Sequence, residues 1–318
     1  MPPARLHPAA LAWTAKRRKT EFWAVALSGG ADSLALLLVL RAHFPARSLV
    51  ALHFNHRLRG RAADSDAAFC VRVCQALGVK CLVGVWRTAP QAASEGEARL
   101  ARHEFFRGAM RKMRTKTLWL AHQQDDIAES MLMRLARGSG TGGLAAPRPV
   151  QLMGDGRVHL RPLLTLKKAE LVAALRRAGV KWREDASNAG NDHFRNRIRR
   201  SVLPAWAKAA GRDALAGAAL SRELLEDDDE ALEVWLDDLK PLDRLGRLNL
   251  DRLKGKPLAL MRRALHRWLL LVRPETDLSR QGFNQLLAAV KRGRDTRFSL
   301  GARGFAVVRR AQLMFQRS

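Results

Sequence analysis

The chain of 318 residues is poor in cysteine, and the three it has are badly spaced for staples. Cys70, Cys74 and Cys81 form neither a C-x-x-C pair nor an even disulfide set, which suggests a reducing compartment and no cysteine-built metal site. Cys70 and Cys74 sit four apart in a helical stretch, a spacing that suits packing against a core. No apolar run approaches the ~20 residues of a membrane span, and none resembles the apolar region of a signal peptide, so a cytoplasmic protein with no membrane partner is expected. The first twenty residues hold no acid and include Lys16-Arg17-Arg18-Lys19; we read them as a surface helix leading into the first strand. No internal repeat is found. Also missing are the lysine of G-x-x-x-x-G-K-[ST] and the G-x-G-x-x-G of dinucleotide binders, which argues against γ-phosphoryl transfer and hydride chemistry.

Acidic residues are scarce too: 30 Asp plus Glu face 57 Lys plus Arg, a formal charge of +27. Each phosphate neutralised by such a surface releases a counterion, so nucleic acid is the natural large partner. Charge alone names no reaction.

What is present has an order. Strand-like apolar runs at 22–27, 49–54, 79–85, 117–121 and 158–163 alternate with helical patterns at 33–43, 64–77, 95–113, 127–137 and 167–178. That alternation predicts an α/β fold on an open parallel sheet. Ser94 and Glu97 have the spacing of a capping box, Gly138 suits a left-handed helix stop, and the Gly- and Pro-rich stretch 138–156 reads as a mobile loop. After Pro204 the pattern becomes helical at 214–239, 257–272 and 280–290, and residues 297–315 alternate like a small terminal sheet. We therefore divide the chain at 1–210 and 211–318, the second part being a smaller, mainly helical domain with a β cap.

Ser28-Gly29-Gly30-Ala31-Asp32-Ser33 lies between an apolar strand and an apolar helix. Two glycines permit positive φ and remove Cβ atoms from a phosphate's path, while converging backbone N–H groups and the helix dipole favour an anion. Ser28 and Ser33 add hydroxyls, and Asp32 offers a hard oxygen to Mg²⁺ or caps the helix. The turn resembles the S-G-G-x-D-S signature of the PP-loop ATP pyrophosphatases. That resemblance implies an adenine nucleotide alpha hydrolase-like domain that binds the pyrophosphate end of ATP through residues Ser28, Gly29, Gly30, Ala31, Asp32 and Ser33, with Asp32 holding Mg²⁺, and that makes adenylated intermediates.

A second cluster, His122-Gln123-Gln124-Asp125-Asp126-Ile127-Ala128-Glu129-Ser130, follows the fourth strand, at the sheet edge where ligands sit. On a helix starting near Asp125, Asp126 and Glu129 share a face. They could bind Mg²⁺, hold a cationic amine or act as a base; capping would also explain Asp125 and Asp126, and His122 alone could be a core histidine. Arg195, Arg197, Arg199 and Arg200 make a basic run that is either solvated or a phosphate contact.

The ordered series then decides. Phe54-Asn55-His56-Arg57-Leu58-Arg59, Glu95-x-x-Ala98-Arg99-x-x-Arg102, the His122 cluster, Arg137-Gly138-Ser139-Gly140, Arg161-Pro162-Leu163-Leu164, Glu184-Asp185-Ala186-Ser187-Asn188 and Arg195-Asn196-Arg197-Ile198-Arg199 follow the first turn. Over residues 22–204 the chain resembles the tRNA(Ile)-lysidine synthetase family. His103 stands where that family usually has Tyr, Ile127 where Gln is common and Ser130 for Thr. The part after 210 is a weaker match and is too short for the further domain of longer members.

The resemblance implies a ligase acting on tRNA(Ile) with a CAU anticodon. The wobble cytosine carbonyl attacks the α-phosphate of ATP, pyrophosphate leaves, and the ε-amine of L-lysine displaces AMP at carbon-2. It implies Asp32, Arg102, His122, Asp126 and Glu129 as catalytic residues, Arg195, Asn196 and Arg199 as tRNA or phosphate contacts, and a homodimer. Rival readings are a PP-loop tRNA thiolase, for which Cys70 and Cys74 are poorly spaced, and a non-catalytic RNA-binding protein.

Overall fold

The computed structural model describes residues 1–16, 21–58, 60–90, 93–184, 194–272, 278–301 and 304–317. It separates into two compact units, Met1–Glu226 and Asp227–Ser318, so the division falls inside the helix Ala214–Leu239, whereas the sequence reading places it near residue 210.

In the first unit β1 (Trp23–Ala26), β2 (Leu49–Asn55), β3 (Lys80–Val85), β4 (Thr117–Trp119), β5 (Val150–Leu152) and β6 (Val158–Leu160) form a sheet in the order β3-β2-β1-β4-β6-β5. All pairings are parallel except β5 with β6. The helices of this unit are α1 (Pro8–Ala15), α2 (Ala31–His43), α3 (Arg61–Ala76), α4 (Glu95–Lys112), α5 (Gln124–Ala136), α6 (Thr141–Leu144), α7 (Lys168–Arg177), α8 (Phe194–Arg197) and α9 (Leu203–Ala210). β1 pairs with β2 on one side and β4 on the other, so the chain leaves these neighbouring strands toward opposite halves of the sheet. The crevice beyond their carboxyl ends is where an open α/β sheet places its ligand.

The expected parallel α/β sheet is present, because Trp23, Val25, Leu36, Leu37, Leu40 and Trp119 bury completely or nearly so between strands and helices. The rings of Trp23 and Trp119 lie 4.8 Å apart. Ser94 and Glu97 close the anticipated capping box. Gly138 ends α5 at φ 67°, its N–H bonding Leu135 and that of Ser139 bonding Arg134, a Schellman stop.

Two expectations need correction. Residues 138–156 are not a featureless mobile loop: they contain α6 and the antiparallel edge strand β5, and the Arg134 guanidinium donates to the carbonyls of Gly143 and of Ala146, the latter at 2.8 Å. The leading segment is not confined to the surface either, since Leu6 and Ala10 are buried and Leu11 and Trp13 pack on the core. Between α8 and α9 the helix widens to π geometry over Ile198–Val202, just ahead of Pro204, whose missing N–H breaks the regular ladder.

The second unit contains the later part of α10 (Ala214–Leu239), then α11 (Leu258–Val272), α12 (Arg280–Arg292) and an antiparallel sheet. Its strands are β7 (Leu248–Asn249), β8 (Thr296–Ser299), β9 (Gly304–Arg309) and β10 (Gln312–Arg317), in the order β7-β10-β9-β8. Trp268, Leu265, Leu286 and Leu313 centre its core. Among the described residues no helix is long and apolar enough to cross a membrane.

Candidate active site

The turn after β1 is held by its own hydroxyls. Ser33 Oγ donates to the carbonyl of Gly30 at 3.0 Å and accepts the Ser28 N–H at 3.1 Å. Having spent its one hydrogen, it must accept from Ser28 Oγ, 3.0 Å away, which in turn accepts the Gly30 N–H at 3.3 Å. Both serine hydroxyls thus shape the turn first. Gly29 adopts φ 90°, a Cβ there would sit 3.2 Å from Cys70 Sγ, and its carbonyl accepts the Arg183 N–H at 2.9 Å. Arg183 Nε reaches Asp66 at 2.7 Å, tying the turn to α3.

Asp32 is the second residue of α2, whose N-cap is Gly30, so it does not itself cap the helix. Its Oδ1 is buried without a hydrogen-bond partner. Burial pushes its carboxyl up to about 6, Asp126 and Asp125 adding to the shift while Lys168 and Arg199 oppose it. An orphaned carboxylate oxygen beside a glycine-rich turn at a helix N-terminus suits a hard cation. Among the described residues no group of three or more His, Cys, Asp or Glu gathers as a metal cage, so such an ion would take its remaining ligands from phosphate and water.

A cleft of about 610 Å³ opens beside the turn, and its walls include Ser28, Asp32, Ser33, Arg99, Arg102 and His122. β1 and β4 place them: the turn leaves the first strand and His122 follows the second. Arg99 and Arg102 lie on one face of α4. His103, also in the wall, stacks on His159 with ring centroids 6.0 Å apart. Burial and the charges of Arg99 and Arg102 lower the His103 pKa to about 4; burial and Arg161 lower that of His159 to about 3. His122 is pushed well down, by burial and then by Arg161, Arg195, Arg99 and Arg102. This side of the cleft is lined by permanent cations and neutral imidazoles, a surface for an anion.

The carboxylate pair stands apart from that wall. Asp126 and Glu129 do share a face of α5, and both are buried. Asp126 Oδ2 accepts the Gln123 N–H at 3.0 Å as a capping box, and its Oδ1 meets Arg195 at 2.6 Å. Glu129, with no exposed surface, accepts from Arg195 Nε at 2.8 Å and from Arg199 through both oxygens, at 2.5 and 3.0 Å. Burial works against the Arg195 and Arg199 charges, and these carboxylates outweigh it, raising both pKa values. The residues that the sequence reading assigned separately to a base and to tRNA contact therefore form one ion-pair cluster. Asp125 has a different duty: its Oδ2 accepts the N–H of Lys168, the first residue of α7. Asn196 is half-buried on α8 between the two arginines in sequence. Asp185 to Asn188 and Arg59 lie outside the described residues.

Sequence reasoning missed Asp66, Arg183 and Gln151. Asp66 and Arg183 are 117 positions apart and meet only through the fold, and nothing local marks Gln151, which accepts from Arg161 at 2.8 Å.

The sequence profile of the PP-loop domain matches residues 7–206, the region that carries the turn, the cleft and the ion-pair cluster. The chain belongs to the PP-loop domain family. It is 34% identical over 274 residues to the tRNA(Ile)-lysidine synthase of Geobacter sulfurreducens, an overlap of 82% of this chain and 57% of that protein. With the tRNA(Ile)-lysidine synthase of Bacillus subtilis it shares 38% identity over 186 residues, 57% of this chain and 39% of that protein. The chain thus spans about half the length of the curated relatives it matches. Among solved structures, the U34-tRNA thiolase NcsA from Methanococcus maripaludis is similar with a TM-score of 0.54 at 18% identity, covering 69% of this chain and 77% of that chain. At that identity the likeness concerns the fold of the PP-loop domain alone.

Proposed function

We propose that this PP-loop protein is an ATP-dependent ligase of the cytoplasm that joins L-lysine to carbon-2 of the wobble cytidine of tRNA(Ile) with a CAU anticodon. The observation that carries the reading is the cleft that unites the Ser28 to Ser33 turn, the unpartnered Asp32 oxygen and the Arg99, Arg102 and His122 wall. The names of the relatives point from ATP chemistry in general to lysidine formation, and the charge of +27 suits an RNA substrate.

In this reading the backbone N–H groups of the turn bind the β- and γ-phosphates, and Asp32 would hold Mg²⁺, which neutralises phosphate charge when bound. Arg102 lies against the triphosphate. The cytosine carbonyl oxygen attacks the α-phosphorus as the bond to pyrophosphate breaks, and the lysine ε-amine then adds at carbon-2 as AMP leaves. An ammonium has no lone pair, so the lysine must surrender a proton. We assign that proton to Asp126, whose side chain is 12% exposed against none for Glu129. Glu129 orients Arg195 and Arg199 toward RNA or pyrophosphate, and Asn196 joins that surface. The enzyme works as a homodimer, which sedimentation would check.

The thiolation alternative finds no support at Cys70 or Cys74. Burial raises the Cys70 pKa to about 12, and Cys74 is raised by its hydrogen bond with Cys81 and then by burial, so neither is a ready nucleophile. The test is the purified protein with ATP, labelled lysine and a CAU anticodon-stem RNA. Lysine incorporated with release of AMP and pyrophosphate is the expected result; sulfur transfer, or RNA binding without ATP consumption, would replace the reading.

A further inference from the structure

The edge hairpin that the sequence hid has a position next to the cleft. Arg161 directly follows β6, is 5% exposed, and is fixed on every arm of its guanidinium: Nη1 donates to the carbonyl of Arg148 at 2.8 Å, Nη2 to Gln151 Oε1 at 2.8 Å and Nε to His122 Nδ1 at 3.2 Å. Its own N–H bonds the carbonyl of Pro149 at 2.8 Å. Gln151 lies on β5 and Arg148 and Pro149 just before it, so the antiparallel hairpin builds the socket.

We infer that Arg161 is a positioning residue that fixes His122 as a neutral imidazole with its proton on Nε2, presented to the cleft as a hydrogen-bond donor. A guanidinium nitrogen has hydrogens and no available lone pair, so it can only donate; His122 Nδ1 is therefore the acceptor and carries no proton. A neutral ring then holds its one hydrogen on Nε2. That nitrogen has no partner among the described residues, and His122 lines the cleft. Protonation of Nδ1 would break the bond and add a cation beside Arg161 just after β6, Arg99 and Arg102 from α4, and Arg195 from α8, in keeping with the depressed pKa. His122 is thus a fixed donor to an oxygen of the bound nucleotide, not a proton shuttle. The nucleotide part of this inference rests on the proposed ATP chemistry; the tautomer does not.

Two readouts test it. In protein labelled with ¹⁵N-histidine and free of ATP, with His122 assigned by its loss in His122→Gln, His122 should show an unprotonated Nδ1, a protonated Nε2 and no titration between about pH 5 and 8. Arg161→Lys, which keeps the charge and loses the Nε donor, should mix the tautomers and lower kcat for AMP formation by about 10- to 100-fold with KM for ATP little changed. Gln151→Ala should move both readouts the same way by less, and it serves if Arg161→Lys does not fold. A protonated Nδ1, an ordinary histidine titration, or variants that alter neither tautomer nor kcat would overturn the inference. The expected spectrum with no lysine incorporation would support the positioning role while sinking the ligase reading alone.

Discussion

The candidate cleft and the second unit treat charge differently. In the second, Arg263 meets Asp229 at 2.5 Å and Glu233 at 2.6 Å, and Arg267 meets Glu233 and Asp237, so cations on α11 are matched by acids one turn apart on α10. In the cleft of the first unit, Arg99, Arg102 and Arg161 crowd imidazoles whose pKa values burial and these charges lower, and Asp32 keeps a buried oxygen without a hydrogen-bond partner. Matched charge orients helices and adds little stability. A buried carboxylate oxygen without a hydrogen-bond partner, like that of Asp32, costs stability, and a fold retains it where a ligand completes the set.

That contrast can be broken at several points. Asp32→Ala should have the largest effect, lowering kcat/KM for ATP by about 10³-fold, or ~4 kcal/mol, in steady-state AMP formation. Next, Glu129→Gln leaves Arg195 and Arg199 around a neutral amide, and urea unfolding should report a loss of about 3 kcal/mol. A smaller effect, of opposite sign, is expected from Asp32→Asn in the metal-free protein. The folded carboxyl titrates at about 6 against a usual 3.8, so its contribution to stability is full below the usual value and is lost as pH rises through the folded one. The variant should therefore be more stable than the parent at pH 8, by on the order of 2 kcal/mol and with a higher Tm, and the gap should close toward pH 4. Equal melting at pH 8 would mean that Asp32 is not strained by burial. The smallest change belongs to the matched region: Arg267→Ala should cost about 0.5 kcal/mol and less at high salt, because the pair is partly exposed.

The sheet was legible because its strands are near-continuous apolar runs with Gly and charged residues between them, and the Ser28 to Ser33 turn because its signature is local to six residues. The edge strand Val150–Leu152 was not. Three residues are too few to show a period, and pairing with β6 rather than intrinsic preference makes them a strand. The same limit applies to the site. Asp126 and Glu129 were found as a pair because helical spacing puts them on one face, but Arg195 and Arg199 lie 66 and 70 positions from Glu129, and only the fold shows that they close on it. Asp125 looked equivalent to Asp126 in sequence and proved to cap another helix. The tie from Arg161 to His122 crosses 39 positions and leaves no trace in composition or spacing.

Transfer of the adenylyl group from the cleft to RNA can be measured directly. With ATP labelled at the α-phosphate, a CAU anticodon stem-loop and no lysine, a single turnover should release pyrophosphate and leave the label on the RNA, and added lysine should then free it as AMP. The label should vanish with Asp32→Ala and when uridine replaces the wobble cytidine. AMP formed without labelled RNA, or labelling that ignores the wobble base, would contradict the account.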